Sequence, residues 1–373
     1  MAEIQPIVMP KWGLAMQEGM LAAWHVEAGA SIAKGQEIMD IETSKIANVF
    51  ESPVSGPLRR IVVQPGETVP VGALLGVVAD GTVSDADIDA YVAEFTERFA
   101  AEMASRATAK GPEPQYVDIH GRRIRYLKLG DAGGDPVIFL HGFGGDLNNW
   151  LFNQEPLSEK HTTYAIDLPG HGGSSKMVGE GDVGSMTATV AEVMHALHIK
   201  RAHFVGHSLG GAISLDMALN HPELVATATL VCPAGLGPEI SMEYIDGFMS
   251  TSRARKLKPV LEMLVANPAL VTNDMVEDVL KFKRLDGVDA ALNTIASATF
   301  AGGQQSLQLT GRLGELKVPV QIVWGRQDRI IPCTHGKGLP ASIPVTVYDD
   351  AGHLTHMEKS HEVNALIEKI AGA

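Results

Sequence analysis

A serine that lies between two glycines is the first candidate reactive residue of this chain. The run Gly206-His207-Ser208-Leu209-Gly210 follows the strand-like HFV and precedes the helix-like AISLDMALN. In this context a G-x-S-x-G pattern predicts a tight strand-to-helix turn, because the glycines permit the close approach that raises the serine above a sheet. A serine held in this way can attack an acyl carbon as a nucleophile.

A serine hydroxyl needs a base to become nucleophilic, and that base needs an acid to orient it. With this motif the acid and then the base are expected later in the chain. Asp328 in WGRQDRIIP follows an apolar strand, and His353 in DDAGHLTHMEK lies after the last strand. On these contexts alone His356 is a rival base, and Asp349 and Asp350 are rival acids.

Backbone N–H groups are the expected partners of the oxyanion that forms in such an attack. One belongs to Leu209, the residue after the nucleophile, and the other to Phe143 in the HGFGG turn after VIFL. We expect His141, His171 and His207 to hydrogen-bond the surrounding loops. The chain shows no histidine or carboxylate spacing that supports a metal site, so no metal is predicted.

Short apolar runs alternate with helical stretches from residue 116 onward, which predicts a mostly parallel sheet with helices on both faces. The runs are VIFLHG, TYAIDL, HFVGHS, TLVCPA, VQIVWG and TVYDDAG. Residues 236–303 interrupt this alternation with several helical patterns. They also contain a basic cluster, formed by Arg253, Arg255, Lys256 and Lys258. We favour a solvated helix face for this cluster, and a site for the phosphates of coenzyme A is the alternative.

Residues 116–373 resemble the α/β-hydrolase family in the contexts of Ser208, Asp328 and His353. The histidine of that family directly follows a glycine, as His353 does in the run AGH. The resemblance therefore favours Asp328 and His353 over their rivals. It also implies that residues 236–303, an insertion after the sixth strand, form a helical lid over the nucleophile.

An internal repeat with an offset of 37 residues occupies the first eighty positions. Seven residues of one copy correspond to seven of the other: Gly19, Leu21, Val26, Gly29, Ile32, Gly35 and Ile38 to Gly56, Leu58, Val63, Gly66, Val69, Gly72 and Leu75. Each copy reads as short strands broken by glycine turns, so the two are expected to fold together as a small β-barrel or sandwich. Lys45 falls between the copies.

Residues 1–80 resemble the lipoyl and biotinyl carrier domains, in which a lysine at this hairpin tip receives the cofactor. The run Glu42-Thr43-Ser44-Lys45-Ile46 is closer to the lipoyl pattern, and the methionines that flank a biotinyl lysine are missing. The resemblance implies lipoate on Lys45. An unmodified surface lysine and a biotinylated one are the alternatives.

Residues 81–115 are predicted to be a helical linker. Ser84 is a candidate N-cap, and GPEP at 111–114 ends the helix. An apolar stripe recurs at three- and four-residue steps: Ile88, Tyr91, Val92, Phe95, Phe99 and Met103. We expect this stripe to pack on the hydrolase-like domain, with docking of a partner or a second copy as the alternative.

Composition excludes several classes of function. With 373 residues and a formal net charge of −14, the chain lacks the basic footprint that nucleic-acid binding requires. Two distant cysteines, Cys232 and Cys333, suit a reducing compartment. The N-terminus has no signal pattern, and no apolar run approaches the roughly 20 residues of a membrane span. We therefore expect a cytoplasmic protein.

The whole chain resembles the dihydrolipoyllysine acetyltransferase components of bacterial acetoin dehydrogenase complexes, which join one lipoyl domain to an α/β-hydrolase-like domain. The HxxxDG motif of the more common acyltransferase domains is missing. The resemblance implies coenzyme A as acyl acceptor, a thiamine-diphosphate acetoin-cleaving subunit and a flavin dihydrolipoamide dehydrogenase as partners, and a homo-oligomer. A serine hydrolase anchored by its lipoyl domain and a non-catalytic lipoyl scaffold are the alternatives.

Overall fold

The computed structural model of the chain describes residues 4–10, 18–42, 47–108 and 112–372. The chain divides into two compact units, Met1–Gly111 and Pro112–Ala373. The first is built mainly from strands and the second from a central sheet with helices, in agreement with the predicted fold class.

The first unit is a sandwich of two four-stranded sheets. Its strands are β1 (Ile4–Val8), β2 (Glu18–Trp24), β3 (Ser31–Ile32), β4 (Glu37–Glu42), β5 (Ala47–Glu51), β6 (Gly56–Ile61), β7 (Thr68–Pro70) and β8 (Leu74–Ala79). One sheet has the order β1-β8-β6-β3 and the other β5-β4-β2-β7. Apolar residues from both sheets form one buried core.

The predicted repeat is present in this sandwich. Gly29 and Gly66, which correspond at the offset of 37 residues, have φ angles of 94° and 90°. Such left-handed backbone favours glycine, because residues with a side chain are strained at a positive φ angle. Corresponding apolar residues of the two copies are fully buried in the same core: Leu21 with Leu58, and Ile38 with Leu75.

Strands β4 and β5 are the pair that flanks Lys45 in the sequence. They run antiparallel, and Glu42 at the end of β4 is paired with Ala47 at the start of β5. Lys45 itself lies outside the described residues. The lipoyl attachment predicted for it therefore stays a prediction at this level.

Helix α1 (Asp85–Thr108) follows the sandwich and begins at the predicted N-cap, where Ser84 Oγ accepts the N–H of Asp87 at 3.2 Å. The first part of its apolar stripe packs on the first unit: Ile88, Tyr91, Val92 and Phe95 lie against Leu74, Val77 and Ala79 of β8. The expectation that these residues pack on the hydrolase-like domain is therefore wrong. Strand β8 is apolar on both faces, and the helix covers the face that the sandwich core leaves open.

The second unit is built on one eight-stranded sheet. Its strands are β9 (Gln115–Ile119), β10 (Arg122–Leu129), β11 (Val137–Leu140), β12 (Thr163–Ile166), β13 (Ala202–His207), β14 (Val225–Val231), β15 (Val320–Gly325) and β16 (Val345–Tyr348). The order is β16-β15-β14-β13-β11-β12-β10-β9, and β11 to β16 pair in parallel. Every apolar run predicted to be a strand is one.

Nine α-helices accompany this sheet in the part of the second unit that the structure describes. They are α2 (Leu151–Leu157), α3 (Val183–Ala196), α4 (Leu209–Asn220), α5 (Met242–Ser250), α6 (Ala254–Glu262), α7 (Asn273–Lys283), α8 (Val288–Thr299), α9 (Thr355–Glu358) and α10 (Ser360–Ala371). Helices α5 to α8 form the insertion predicted between the sixth and seventh strands of this unit. Among the described helices, none combines the length and the apolar character that crossing a membrane requires.

Candidate active site

Ser208 occupies the turn between β13 and α4. Its backbone has φ 53° and ψ −114°, a left-handed conformation that is unusual for a residue with a side chain. The turn is possible only because its neighbours lack Cβ atoms: a Cβ on Gly206 would lie 2.2 Å from the carbonyl oxygen of Gly210, and one on Gly210 would lie 2.1 Å from that of Leu140. The sequence therefore forces Ser208 out of the strand path, in the tight strand-to-helix turn that was predicted.

The predicted base and acid are hydrogen-bonded to each other. His353 Nδ1 donates to Asp328 Oδ2 at 2.8 Å, and both side chains are almost completely buried. Because an ionised carboxylate can only accept, the imidazole proton lies on Nδ1 and the lone pair on Nε2. His353 and Ser208 line the same cavity of about 100 Å³. The lone pair of Nε2 is thus available in the cavity that holds the serine.

The carboxylate of Asp328 is held by several donors besides His353. Its Oδ1 accepts the N–H groups of Ile330 at 2.8 Å and Ile331 at 3.0 Å, and its Oδ2 also accepts from Trp324 Nε1 at 3.0 Å. These bonds fix the carboxylate so that it can orient the imidazole and stabilise its protonated form.

The rivals of these residues lie in other surroundings. Asp349 forms an exposed ion pair with Arg326, and Asp350 forms one with Lys359. His356 is fully buried, stacks near Trp150 with ring centroids 4.4 Å apart, and does not line the cavity of Ser208. Burial lowers the pKa of His356 to about 3, which makes it a poor base at neutral pH.

Two backbone N–H groups are free beside the serine. Phe143 and Leu209 donate their N–H groups to no protein acceptor among the described residues. The turn that holds Phe143 lies directly against the nucleophile, since a Cβ on Gly142 would be 3.0 Å from Ser208 Cβ. Donors that are left free in this way are what an oxyanion site requires, and the assignment of Phe143 and Leu209 to that role stays a prediction.

The three other histidines of the site hold loops together, as predicted. His141 Nδ1 donates to the carbonyl of Gly142 at 2.8 Å, and His171 Nδ1 donates to that of Pro169 at 3.0 Å. His207 Nε2 donates to the carbonyl of His353 at 3.0 Å and so fixes the loop of the base. Burial lowers the pKa of His141 to about 4 and that of His171 to about 3, which keeps both rings neutral.

Comparison with known proteins shows where this combination of units occurs. Residues 135–360 match the family described as alpha/beta hydrolase fold, and residues 5–78 match the family described as biotin-requiring enzyme. The chain is 46% identical over 369 residues to the dihydrolipoyllysine-residue acetyltransferase component of the acetoin cleaving system of Cupriavidus necator, covering 99% of this chain and 98% of the relative. The component of the same description from Pseudomonas putida is also 46% identical, over 98% of this chain and 97% of the relative. The chain belongs to this acetyltransferase family.

Solved structures agree on the fold of the second unit in this family member. The meta-cleavage product hydrolase from Pseudomonas fluorescens superposes with a TM-score of 0.63 at 21% identity, over 69% of this chain and 96% of that chain. A likeness at this identity shows the fold alone. Together with the two family matches it confirms both predicted domain types, a biotin/lipoyl domain followed by an α/β-hydrolase fold.

The lid helices form an apolar wall around Ser208. Phe143 makes edge-to-face contacts with Phe248 of α5 and Phe300 at the end of α8, with ring centroids 5.9 Å and 5.6 Å apart. Lys283 at the end of α7 donates to the carbonyls of Phe248 and Thr251, which lie at the C-terminal end of α5. This lysine therefore ties two lid helices together beside the cavity.

Glu358 is a supporting residue that sequence reasoning missed. Its Oε2 accepts the N–H of Gly352 at 2.6 Å, next to His353, and its Oε1 accepts the N–H of Ala266 at 2.8 Å, beyond α6 of the lid. Burial raises the pKa of its carboxyl group. The residue joins the loop of the base to the lid, but a single glutamate in a helical run gives no signal of this in the sequence.

A buried thiol lies behind the acid and the base. Cys232 Sγ, an Asp328 carboxylate oxygen and a His353 ring nitrogen lie within 4.8 Å of one another, which are ligand types that a metal could use. However, Asp328 already accepts four N–H donors, and a cation at this point would face those donors. Cys232 Sγ is 3.3 Å from Thr355 Oγ1, and burial raises the pKa of the thiol well above its ordinary value. The thiol thus bonds to the loop that carries His353, through Thr355 and the carbonyl of Gly352.

The basic cluster of the lid is located on α6. Arg253, Arg255 and Lys256 are exposed, and Lys258 Nζ lies 3.5 Å from Asn273 Oδ1. None of these four side chains lines the cavity of Ser208. The exposure of three of them is that of a solvated helix face.

Proposed function

We propose that the chain moves an acetyl group from a thioester on Lys45-bound dihydrolipoate to coenzyme A, with Ser208 as nucleophile and His353 and Asp328 as base and orienting acid. The observation that carries this proposal is the hydrogen bond from His353 Nδ1 to Asp328 Oδ2 at 2.8 Å, beside the cavity that Ser208 lines. The relatives that share the whole chain are named acetyltransferase components.

In the first half of the reaction the serine takes up the acetyl group. His353 Nε2 accepts the proton of Ser208 Oγ as the oxygen attacks the thioester carbon. The N–H groups of Leu209 and Phe143 donate to the oxyanion that forms. The protonated imidazole then gives its proton to the departing sulfur, which leaves as a thiol. Asp328 holds the imidazole throughout and stabilises its positive charge.

In the second half the same residues work in reverse. His353 Nε2 takes the proton of the coenzyme A thiol, whose sulfur attacks the acetyl-Ser208 carbon. The two backbone N–H groups again hold the oxyanion. Collapse of the intermediate breaks the bond to Ser208 Oγ, which recovers its proton from the imidazole. Removing one oxyanion donor from such a site typically slows the reaction about 10²–10³-fold.

Dihydrolipoate on Lys45 would supply the thiol that carries the acetyl group as a thioester. Support comes from the match of residues 5–78 to the biotin/lipoyl family and from the antiparallel pairing of Glu42 with Ala47 on either side of the lysine. Because the carrier and the serine share one chain, their encounter is intramolecular, with an effective concentration of order mM for a flexible linker.

We propose that a thiamine-diphosphate subunit that cleaves acetoin loads this arm and that a flavin dihydrolipoamide dehydrogenase reoxidises it. The support is the printed description of the relatives, which are components of an acetoin cleaving system. A component that passes acetyl groups on needs one enzyme that makes them and one that restores the carrier. Pull-down of these two enzymes with the purified chain tests the assignment.

Hydrolysis is the second candidate function, because the same triad can pass an acetyl group to water. The solved structures that share the fold of the second unit include hydrolases. Water exclusion by the lid decides between the two acceptors. The apolar wall of Phe143, Phe248 and Phe300 supports transfer over hydrolysis.

The deciding experiment uses chain that is lipoylated at Lys45 and loaded with labelled acetyl. It is mixed with coenzyme A, and acetyl-coenzyme A is separated from free acetate, beside a Ser208→Ala control. We expect acetyl-coenzyme A from the wild type and none from the control. Mainly acetate, formed with or without coenzyme A, would identify a hydrolase. Unchanged transfer by the control would identify a lipoyl scaffold with no catalytic serine.

A further inference from the structure

A second cavity adjoins the turn that holds the nucleophile. It has a volume of about 210 Å³. Leu209 and Ala212 of α4 form one side, Gly184 in the first turn of α3 forms another, and Leu307 lies on the segment after the lid. Phe300 is the one described residue that lines both cavities.

The ring of Phe300 is therefore the partition between the two spaces. It is 7% exposed and meets Phe143 edge to face, with an interplanar angle of 86°. Phe300 follows the last residue of α8, and Gly302 and Gly303 behind it have φ angles of 68° and 76°. The partition thus lies where the helix ends and the chain turns away.

The proposed reaction uses two thiols in succession at one serine, and each thiol is at the end of a long chain. The cavity of Ser208 is lined mostly by apolar side chains, among them Phe248, Leu261 and Val279, which suit an acetyl group and the hydrocarbon part of a carrier chain. The second cavity combines apolar residues with the hydroxyl-bearing Thr299 and Ser306, a mixed lining that suits an amide-containing chain.

We propose that the second cavity receives the chain that carries the acceptor thiol and that this thiol reaches acetyl-Ser208 past Phe300. The inference rests on the proposed acetyl transfer. In this step the thiol proton passes to His353 Nε2, and the sulfur bonds to the acetyl carbon. The bond from that carbon to Ser208 Oγ breaks, and Oγ takes the proton from His353. No electrons are gained or lost overall, and the product is the thioester of the acceptor.

Gly184 gives a direct test, because it lines the second cavity but not the first. A Cβ placed there meets nothing closer than Asp182 Oδ1 at 3.9 Å, so a side chain can be added without strain. Gly184→Leu adds a large side chain at the exposed edge of the cavity, and Gly184→Ala is its matched control. Leu307→Trp narrows the same cavity from a different segment and provides a second variant.

Two half-reactions are measured for each variant. The first is acetylation of Ser208 by labelled S-acetyl-dihydrolipoamide without coenzyme A, followed by rapid quenching. The second is steady-state formation of acetyl-coenzyme A as a function of coenzyme A concentration. We expect the first rate to stay within about twofold, while the KM for coenzyme A rises about tenfold or more in Gly184→Leu and Leu307→Trp, since small volume changes in a site have effects of this size. Gly184→Ala should resemble the wild type.

An unchanged KM for coenzyme A in both narrowing variants would overturn the inference while leaving the acetyl transfer intact. Equal losses in the two half-reactions would also overturn it, because a general distortion rather than a blocked acceptor path would then explain them. Wild-type enzyme that yields only acetate would instead refute the proposed transfer itself. The three results are distinguishable in the same set of measurements.

Discussion

Replacing Asp328 with asparagine tests whether the proposed base depends on one tautomer of His353. Each carboxylate oxygen of Asp328 accepts two hydrogen bonds: Oδ1 from the N–H groups of Ile330 and Ile331, and Oδ2 from Trp324 Nε1 and His353 Nδ1. An asparagine side chain has one oxygen and one NH₂ group, so it can accept on only one side. The orientation that it takes decides the effect on the imidazole.

The hydrogen bonds around position 328 indicate which orientation of the asparagine side chain costs less free energy. With the NH₂ group toward the backbone, the N–H groups of Ile330 and Ile331 both lose their acceptor, at roughly 1–3 kcal/mol for each unpaired buried donor. With the NH₂ group toward His353, Trp324 Nε1 keeps the carbonyl of Ile331 as a partner at 3.1 Å. His353 can then accept at Nδ1 by moving its proton to Nε2. We expect this second orientation.

A proton on His353 Nε2 removes the lone pair that Ser208 needs. We expect the rate constant for acetylation of Ser208 to fall about 10⁴-fold, which corresponds to roughly 5.5 kcal/mol of transition-state stabilisation. The measurement is single-turnover acetylation of Ser208 by quenched flow. Trp324→Phe is the control, because it removes one donor and leaves the carboxylate, and its loss should be below about tenfold. A loss below tenfold in Asp328→Asn, or an equal loss in the control, would refute the tautomer argument.

Three further outcomes are expected. Lys45→Arg should abolish lipoylation, measured by intact-mass spectrometry, and with it the transfer of acetyl from the carrier domain. Free S-acetyl-dihydrolipoamide should still acetylate Ser208 at a rate within about twofold of the wild-type rate. Loss of both activities would contradict the separate roles of the two units. The Glu358→Gln side chain can accept hydrogen bonds at only one of its two ends, so we expect kcat to fall about tenfold and the Tm to decrease. The control Glu362→Gln changes an exposed side chain and should alter neither quantity. Equal effects of the two variants would refute the link between the lid and the loop of His353. Burial lowers the pKa of His356 from 6.5 to about 3. Between these two pH values the imidazole takes up a proton when the chain unfolds, so the free energy of unfolding falls as the pH drops from 6.5 toward 3. In urea titrations His356→Phe should lower the slope of this free energy by up to about 1.4 kcal/mol per pH unit, and an unchanged slope would show that the ring is not neutral when folded.

The residues that meet at the candidate site could be selected from the sequence because parallel strands bring distant segments to one edge of a sheet. Ser208 follows β13, Asp328 follows β15 and His353 follows β16, and these strands are near neighbours in the sheet. Each strand was recognisable as a short apolar run, and the carboxyl ends of such strands meet at the same edge. Residue type at the strand ends was then sufficient to choose the candidates, although these are separated by 120 residues or more from the nucleophile.

The packing of α1 was not predictable in the same way. An apolar stripe shows that a helix needs cover but not which surface supplies it. The sequence of β8 nevertheless gave an indication. Its residues LLGVVA lack the alternation of apolar and polar residues that is typical of a strand with one solvent-exposed face. All six of its residues are buried, three of them under α1. A strand that is apolar throughout indicates a missing partner, and the next helix in the chain is the first candidate.

The supporting residues escaped prediction for a different reason. Glu358 and Lys283 act through hydrogen bonds to backbone groups of segments far away in the sequence, and any polar residue can make such bonds. Their types and spacing are those of ordinary helix surfaces. Only the positions of the backbone carbonyl and N–H groups in the folded chain reveal which segments Glu358 and Lys283 hold together.

The two cavities follow from one chemical requirement of an acetyl transfer through serine. An acetyl-serine must be kept from water and yet be reached by a second thiol. The apolar wall of Phe143, Phe248 and Phe300 meets the first condition, and Lys283 stabilises it by fastening α7 to α5. The proposed path past Phe300 from the second cavity meets the second condition. A hydrolase has no such conflict, because its acceptor is the solvent. An acyltransferase built on a hydrolase fold therefore benefits from separate spaces for the acyl group and for the acceptor chain.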